Sequence, residues 1–174
     1  SGATGATSEA TCQDCVAGKY SGQAASTCVE KCPSGTYSIA ATSTCEDCIA
    51  GKYSSATGAT SEATCSNCEA GKYSGATGAT SEASCTDCGV GKYSGATGAI
   101  SDATCQDCSA GKYSSITGAT SDATCSDCSA GKYSGATGAI SDATCQDCSA
   151  GKYSSAASSA CVDCAAGKYS SAAG

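Results

Sequence analysis

The chain is predicted to be a small disulfide-rich tandem repeat, an elongated rod of short β-hairpin and loop units. It has little helix, one disulfide-closed loop and one tyrosine per unit. Three observations carry this. Eighteen cysteines stand as nine two-cysteine steps in 174 residues. The text between steps recurs almost unchanged, as in CSNCEAGKYSGATGATSEAS from Cys65 and CTDCGVGKYSGATGAISDAT from Cys85. A fixed period of roughly 20–50 residues marks a repeat architecture. Large apolar side chains are nearly missing: there is no Leu, Phe, Met or Trp. The larger aliphatics are only Val16, Val29, Val90, Val162, Ile39, Ile49, Ile100, Ile116 and Ile140. A globular core of this size needs far more, and the cysteine content points to a disulfide scaffold in an oxidising compartment.

Each unit opens on its step, cysteine a then cysteine b. Steps at Cys45, Cys65, Cys85, Cys105, Cys125 and Cys145 lie 20 residues apart. The gaps Cys12 to Cys28, Cys28 to Cys45 and Cys145 to Cys161 are shorter and read as loss of about one turn of the T-G-A-T-S loop. The units run about 12–27, 28–44, 45–64, 65–84, 85–104, 105–124, 125–144, 145–160 and 161–174, with 1–11 as the end of a preceding unit. Ser1 and Gly174 both fall in mid-unit and no Met or signal peptide is present. A processed chain or a segment of a longer one is therefore expected. Units this poor in apolar surface are marginal alone, and stacking on neighbours is the remedy.

Next comes a glycine, from Gly18 and Gly35 through Gly167, ahead of a Lys-Tyr or Thr-Tyr pair. Glycine permits a positive φ and a tight turn after cysteine b. The tyrosines, Tyr20 to Tyr169, are the one large side chain per unit and are expected to lie over the disulfide as a miniature core. The K-Y-S run reads as a strand, the A-T-C run before the next step as its partner, and T-G-A-T as the turn between them. No helical period is visible. The unit around Pro33, the one proline, diverges: its step is CVEKC and it carries GTY for GKY. It reads as a bend, a contact point or a drifted copy. Ile100 and Ile140 lie two units apart, and the alternation of QDC with SDC repeats that 40-residue rhythm. Recent duplication of a double unit and alternate facing of successive units are both open readings.

The cysteines admit three chemistries. Disulfides can join b of one step to a of the next, or a to a and b to b, and spacing leaves the choice open. Paired C-x2-C steps are also a zinc pattern, but nine steps leave one over and His is lacking. Redox catalysis by C-x-x-C calls for one active step, not nine near-copies. Asp14, Asp47, Asp87, Asp107, Asp127, Asp147 and Asp163 precede cysteine b, and Glu62, Glu82, Asp102, Asp122 and Asp142 precede cysteine a. No calcium-loop pattern accompanies them. They read as a solvated acidic face balanced in part by the Lys five residues beyond each step Asp.

Net charge is −7 with no Arg and no His, which argues against nucleic acid and anionic membrane surfaces. No apolar stretch could span a bilayer. No catalytic constellation stands out, so an enzyme is not expected, nor a cofactor. Thr57, Thr60, Thr77, Thr80, Thr97, Thr117, Thr120 and Thr137, in loops crowded with Ser and Thr, are candidate O-glycosylation sites. No N-linked sequon occurs: the one Asn, Asn67, precedes Cys68 and Glu69.

The unit C-x-x-C-x-x-G-K/T-Y-S…C resembles the ephrin-receptor-like cysteine-rich repeat. It is similar also to the first loop of tumour-necrosis-factor-receptor modules, over essentially residues 12–174. Long arrays of this kind occur in surface and secreted proteins of algae and other protists. The resemblance implies an extracellular or cell-surface location and short hairpins. It also implies b-to-a disulfides: Cys15–Cys28, Cys32–Cys45, Cys48–Cys65, Cys68–Cys85, Cys88–Cys105, Cys108–Cys125, Cys128–Cys145 and Cys148–Cys161. Cys12 and Cys164 are then left unpaired within this segment. The chain departs from the family in lacking the proline after cysteine b, kept only after Cys32, and in the uniformity of its loops. The expected function is a structural, self-associating subunit of a filament, stalk or surface coat, of the flagellar-hair kind. A receptor or adhesin ectodomain and an ice- or crystal-binding array are the alternatives.

Overall fold

The structure, a computed structural model, describes residues 13–25, 27, 28 and 30–173. Cys12, Val29 and the segment 1–11 lie outside the described residues. The chain divides into two compact units, one of residues up to 67 with 76–84, the other of 68–75 with 85–174. Both are built from two-stranded antiparallel hairpins, and no α-helix occurs among the described residues.

The first compact unit holds three hairpins. β1 (Lys19–Tyr20) pairs with β2 (Glu30–Lys31), β3 (Thr36–Tyr37) with β4 (Glu46–Asp47), and β5 (Lys52–Tyr53) with β6 (Ser66–Asn67). The second holds five: β7 (Lys72–Tyr73) with β8 (Thr86–Asp87), β9 (Lys92–Tyr93) with β10 (Gln106–Asp107), β11 (Lys112–Tyr113) with β12 (Ser126–Asp127), β13 (Lys132–Tyr133) with β14 (Gln146–Asp147), and β15 (Lys152–Tyr153) with β16 (Val162–Asp163). The Lys-Tyr strand is thus where the sequence puts it, but its partner is not the A-T-C run. It is the pair of residues inside the next cysteine step. The A-T-C run instead forms a 3-10 turn, at Glu62–Thr64, Glu82–Ser84, Asp102–Thr104, Asp122–Thr124 and Asp142–Thr144. Thr64, Thr104, Thr124 and Thr144 lock it by donating their hydroxyls to the carbonyl three residues back, at 2.7–2.8 Å.

A β-turn opens each hairpin. The Lys52 amide donates to the Ile49 carbonyl at 3.1 Å, and Gly51 sits inside the turn at φ +80°. A side chain would be strained in that region, so glycine is required.

Among the described residues the core lacks the tyrosines and aliphatics. It is cystine, alanine and serine: Cys32, Cys48, Cys68, Cys88 and Cys108 are fully buried, as are Ala59, Ala79, Ala99, Ala119 and Ala139 nearly so. The serine after each tyrosine, Ser38 through Ser154, is buried as well. Most tyrosines are only half-buried, while Tyr153 and Tyr169 are exposed. Val16, Ile39, Ile49, Val90, Ile100, Ile116, Ile140 and Val162 are all exposed. The expected tyrosine core is therefore replaced by one of small residues, because here backbones approach each other directly and a ring would hold them apart.

Candidate functional site

Within each compact unit the recurring element is the seam between repeats, and it is made largely of backbone. Three contacts build it. First, the glycine inside the turn pairs with the next repeat: in the second compact unit Gly71 N–H donates to Ser94 O at 2.7 Å and Cys88 N–H to Gly71 O at 2.7 Å. Second, the T-G-A-T loop reaches back to the preceding repeat. Gly118 N–H donates to the carbonyl of Cys88 at 2.9 Å, and the Ala119 carbonyl accepts from Ser94 N–H at 2.9 Å, in a parallel bridge between Tyr93 and Ala119. Third, the same loop lies on the repeat two positions earlier: a Cβ built on Gly71 would overlap the carbonyl oxygen of Gly118. The first compact unit repeats the scheme. Gly78 N–H donates to Cys48 O at 2.8 Å, and Gly35 lies under the Gly78 carbonyl.

The T-G-A-T segment is therefore not a hairpin tip but the strap that binds three successive repeats. Its glycine holds φ between +64° and +67° at Gly58, Gly78, Gly98, Gly118 and Gly138. The short repeats keep the strap with alanine at that point, Ala41 at φ +63° and Ala157 at φ +59°. Ala41 N–H donates to Cys15 O at 3.0 Å and Ala157 N–H to Cys128 O at 2.9 Å, the same bond as in the long repeats. What the short repeats lack is the 3-10 turn and one residue before the strap, rather than the T-G-A-T turn itself.

The buried serines serve the seam. Ser38 Oγ accepts from Gly18 N–H at 3.0 Å, and Ser154 Oγ donates to Lys132 O at 2.8 Å. Among the described residues no buried side-chain polar atom lacks a partner. Neither these serines nor the strap alanines stand out in a single unit. Their signal is that serine follows every Lys-Tyr or Thr-Tyr pair in the chain.

The structure joins Cys15 to Cys28, Cys32 to Cys45, Cys48 to Cys65, Cys68 to Cys85, Cys88 to Cys105, Cys108 to Cys125, Cys128 to Cys145 and Cys148 to Cys161, with Cα atoms 5.6–5.9 Å apart. Cys164 is free and half-buried. Sulfurs held in disulfides offer no thiolate to a metal, and no cluster of metal-ligating side chains forms among the described residues.

Lysine pairs across the hairpin, not with the Asp five residues before it. Lys72 meets Asp87 at 3.1 Å, Lys92 meets Asp107 at 3.0 Å and Lys132 meets Asp147 at 2.7 Å. Lys112 meets Asp122 of its own 3-10 turn at 2.8 Å and Asp127 at 3.7 Å. The hydrogen bond that Lys92 donates to Asp107 holds its ammonium above the ordinary pKa, and the one that Lys112 donates to Asp122 does the same there. Tyr37 is raised too, first by its hydrogen bond with Glu46. Tyr113, Asp127, Lys132 and Asp142 rim a groove of about 170 Å³ beside the Cys128–Cys145 disulfide, small for a ligand site.

The candidate glycan acceptors Thr57, Thr60, Thr77, Thr80, Thr97, Thr117, Thr120 and Thr137 are all exposed. No helix among the described residues is long and apolar enough to cross a membrane.

No curated protein matches the chain. Residues 35–85 match the family model described as tyrosine-protein kinase ephrin type A/B receptor-like. The disulfides and that match point to an extracellular or surface location. Over those residues the chain is similar to the ephrin-receptor-like module, and with its eight regularly spaced disulfides it is a cysteine-rich tandem repeat.

Proposed function

We propose that this protein is a structural extracellular repeat, a self-associating subunit of a filament, stalk or surface coat. The observation that carries the reading is that nearly every buried group serves the seam between repeats, while the loops stay almost identical from copy to copy. A binding site has to differ from its surroundings, and these surfaces repeat. Uniform surfaces made of small side chains suit side-by-side or head-to-tail contact, and contacts that do not close build fibres. The b-to-a disulfide pairing and the division into nine repeats belong to this proposal. Non-reducing peptide mapping checks the pairing. Electron microscopy and sedimentation of the purified, oxidised protein check the assembly: filaments or sheets support it, and a monomer at all concentrations overturns it.

A receptor or adhesin ectodomain is the second reading, favoured by the family match beginning in the divergent repeat. It calls for one atypical contact there, near Pro33 and Tyr37. If Tyr37→Ala abolishes binding to cells while leaving assembly intact, this second reading replaces the first.

A further inference from the structure

Three hydroxyl positions recur from repeat to repeat among the described residues. The serines after the tyrosines, from Ser38 to Ser154, are buried in the seam. The threonines that end the 3-10 turns spend their hydroxyls on backbone carbonyls at 2.7–2.8 Å. Among the described residues, the two threonines of each T-G-A-T strap, as at Thr57 and Thr60, are exposed, and no hydrogen bond uses their hydroxyls.

The fold is indifferent to the second of these positions, since Ile100 and Ile140 occupy it without being buried, at 56% and 52% exposure. Ile116, next to Thr117, is equally open. Each of these isoleucines stands within three residues of a free threonine: Thr97, Thr117 and Thr137. Single exposed aliphatics are ordinary on a protein surface, and these stand where a sugar on the neighbouring threonine oxygen can lay its C–H face against them with its hydroxyls toward water. Thr57, Thr77, Thr97 and Thr137 each lie between an Ala and a Gly.

We propose that the strap threonines carry O-linked glycans, that the other two hydroxyl classes do not, and that these glycans shield Ile100, Ile116 and Ile140. The inference rests on the extracellular reading above. In the transfer, threonine Oγ1 bonds to the anomeric carbon of a phosphate-activated sugar donor. The sugar–phosphate bond breaks, the phosphate group leaves with its electron pair, and the hydroxyl proton passes to a base of the transferase.

The test is site mapping by electron-transfer mass spectrometry on the intact, non-reduced secreted chain. The expected result is glycan on strap threonines with Ser54-type and Thr64-type hydroxyls bare. Thr97→Val is expected to lose one glycan and Ile100→Thr to gain one. Enzymatic deglycosylation is expected to raise binding of a hydrophobic dye. An intact disulfide array with no glycan, or with glycan spread equally over all three classes, overturns this inference alone. Thiols that alkylate without reduction overturn the extracellular reading and this inference together.

Discussion

The long and short repeats solve one problem with different residues. In the 20-residue repeats the strap turns at a glycine, as at Gly118, and a 3-10 turn then brings the chain to the next cysteine. In the short repeats it turns at an alanine, as at Ala157, and meets the cysteine four residues on. The hydrogen bond from strap to cysteine carbonyl is the same in both, 2.9 Å from Gly118 and 2.9 Å from Ala157. The seam thus fixes the strap, and everything between strap and step can be trimmed. The 3-10 turn is an insert that the seam tolerates. It adds a carboxylate where lysine can reach it, as in the Lys52–Glu62 pair at 2.8 Å.

The largest effect is expected from filling the glycine under the strap. Gly71→Ala places a Cβ against the Gly118 carbonyl and strains a φ of +80°, at a cost of about 2–5 kcal/mol. Gly151→Ala has the same φ problem, at +83°, with nothing within 4 Å, so only the conformational cost of about 1–2 kcal/mol is expected. Denaturant unfolding of the oxidised protein separates the two. Equal losses would show that the strap does not press on the glycine.

Removing a disulfide comes next. Replacing Cys108 and Cys125 together by Ser is expected to cost about 2–5 kcal/mol. The same change at Cys148 and Cys161 closes a shorter loop, 13 residues against 17, and loop length alone changes the cost by only about 0.2–0.3 kcal/mol. A much larger gap between the two in thermal unfolding would mean that the 3-10 turn contributes stability of its own.

The strap residue itself gives a smaller, signed test. Ala157→Gly relieves a positive φ and is expected to stabilise by about 0.5–1 kcal/mol, net of the added chain entropy. Gly118→Ala is expected to destabilise by at least the corresponding strain, about 1–2 kcal/mol, because the new Cβ also sits 3.1 Å from Asp87 Oδ1. Midpoints in guanidinium measure both, and shifts of one sign for both changes would contradict the shared strap geometry.

The smallest effect is alkaline. Lys92, Lys112 and Tyr37 have pKa values raised in the fold, so their contribution is complete below the unfolded values, 10.5 for lysine and 10.0 for tyrosine. It is lost as pH rises through the folded values above these. Hydrogen exchange across pH 9 to about 12, scaled for intrinsic rates, is expected to show slight loosening around these hairpins. Lys112→Met is expected to remove part of it near the 3-10 turn.

Much of the fold is legible in the chain. The period, the Lys-Tyr strand and the turn glycine follow from spacing and from the special backbone freedom of glycine. The strand partner is not legible, because Ser66–Asn67, Thr86–Asp87 and Gln106–Asp107 are two-residue, polar and exposed, without the apolar alternation that marks a strand. The strap is hidden for a related reason. T-G-A-T looks like a turn because small residues usually mark turns, whereas here they mark the close passage of three backbones. The tyrosines mislead in the opposite direction: in a chain so poor in apolar groups the largest ring looks like a core, yet the seam leaves it no room.

The disulfides also set how the chain responds to tension. Each bond shortcuts its loop, so a pull along the polypeptide passes from Cys68 across sulfur to Cys85, then through three residues to Cys88 and on to Cys105. With Cα atoms 5.7 Å apart across the bond, the taut path is about 16 Å per repeat, against about 70 Å for 20 residues of open chain. Even with every hairpin peeled apart, the oxidised array can lengthen to only about a quarter of its reduced contour. It behaves as a nearly inextensible cord whose slack is stored behind sulfur and released only by a reductant.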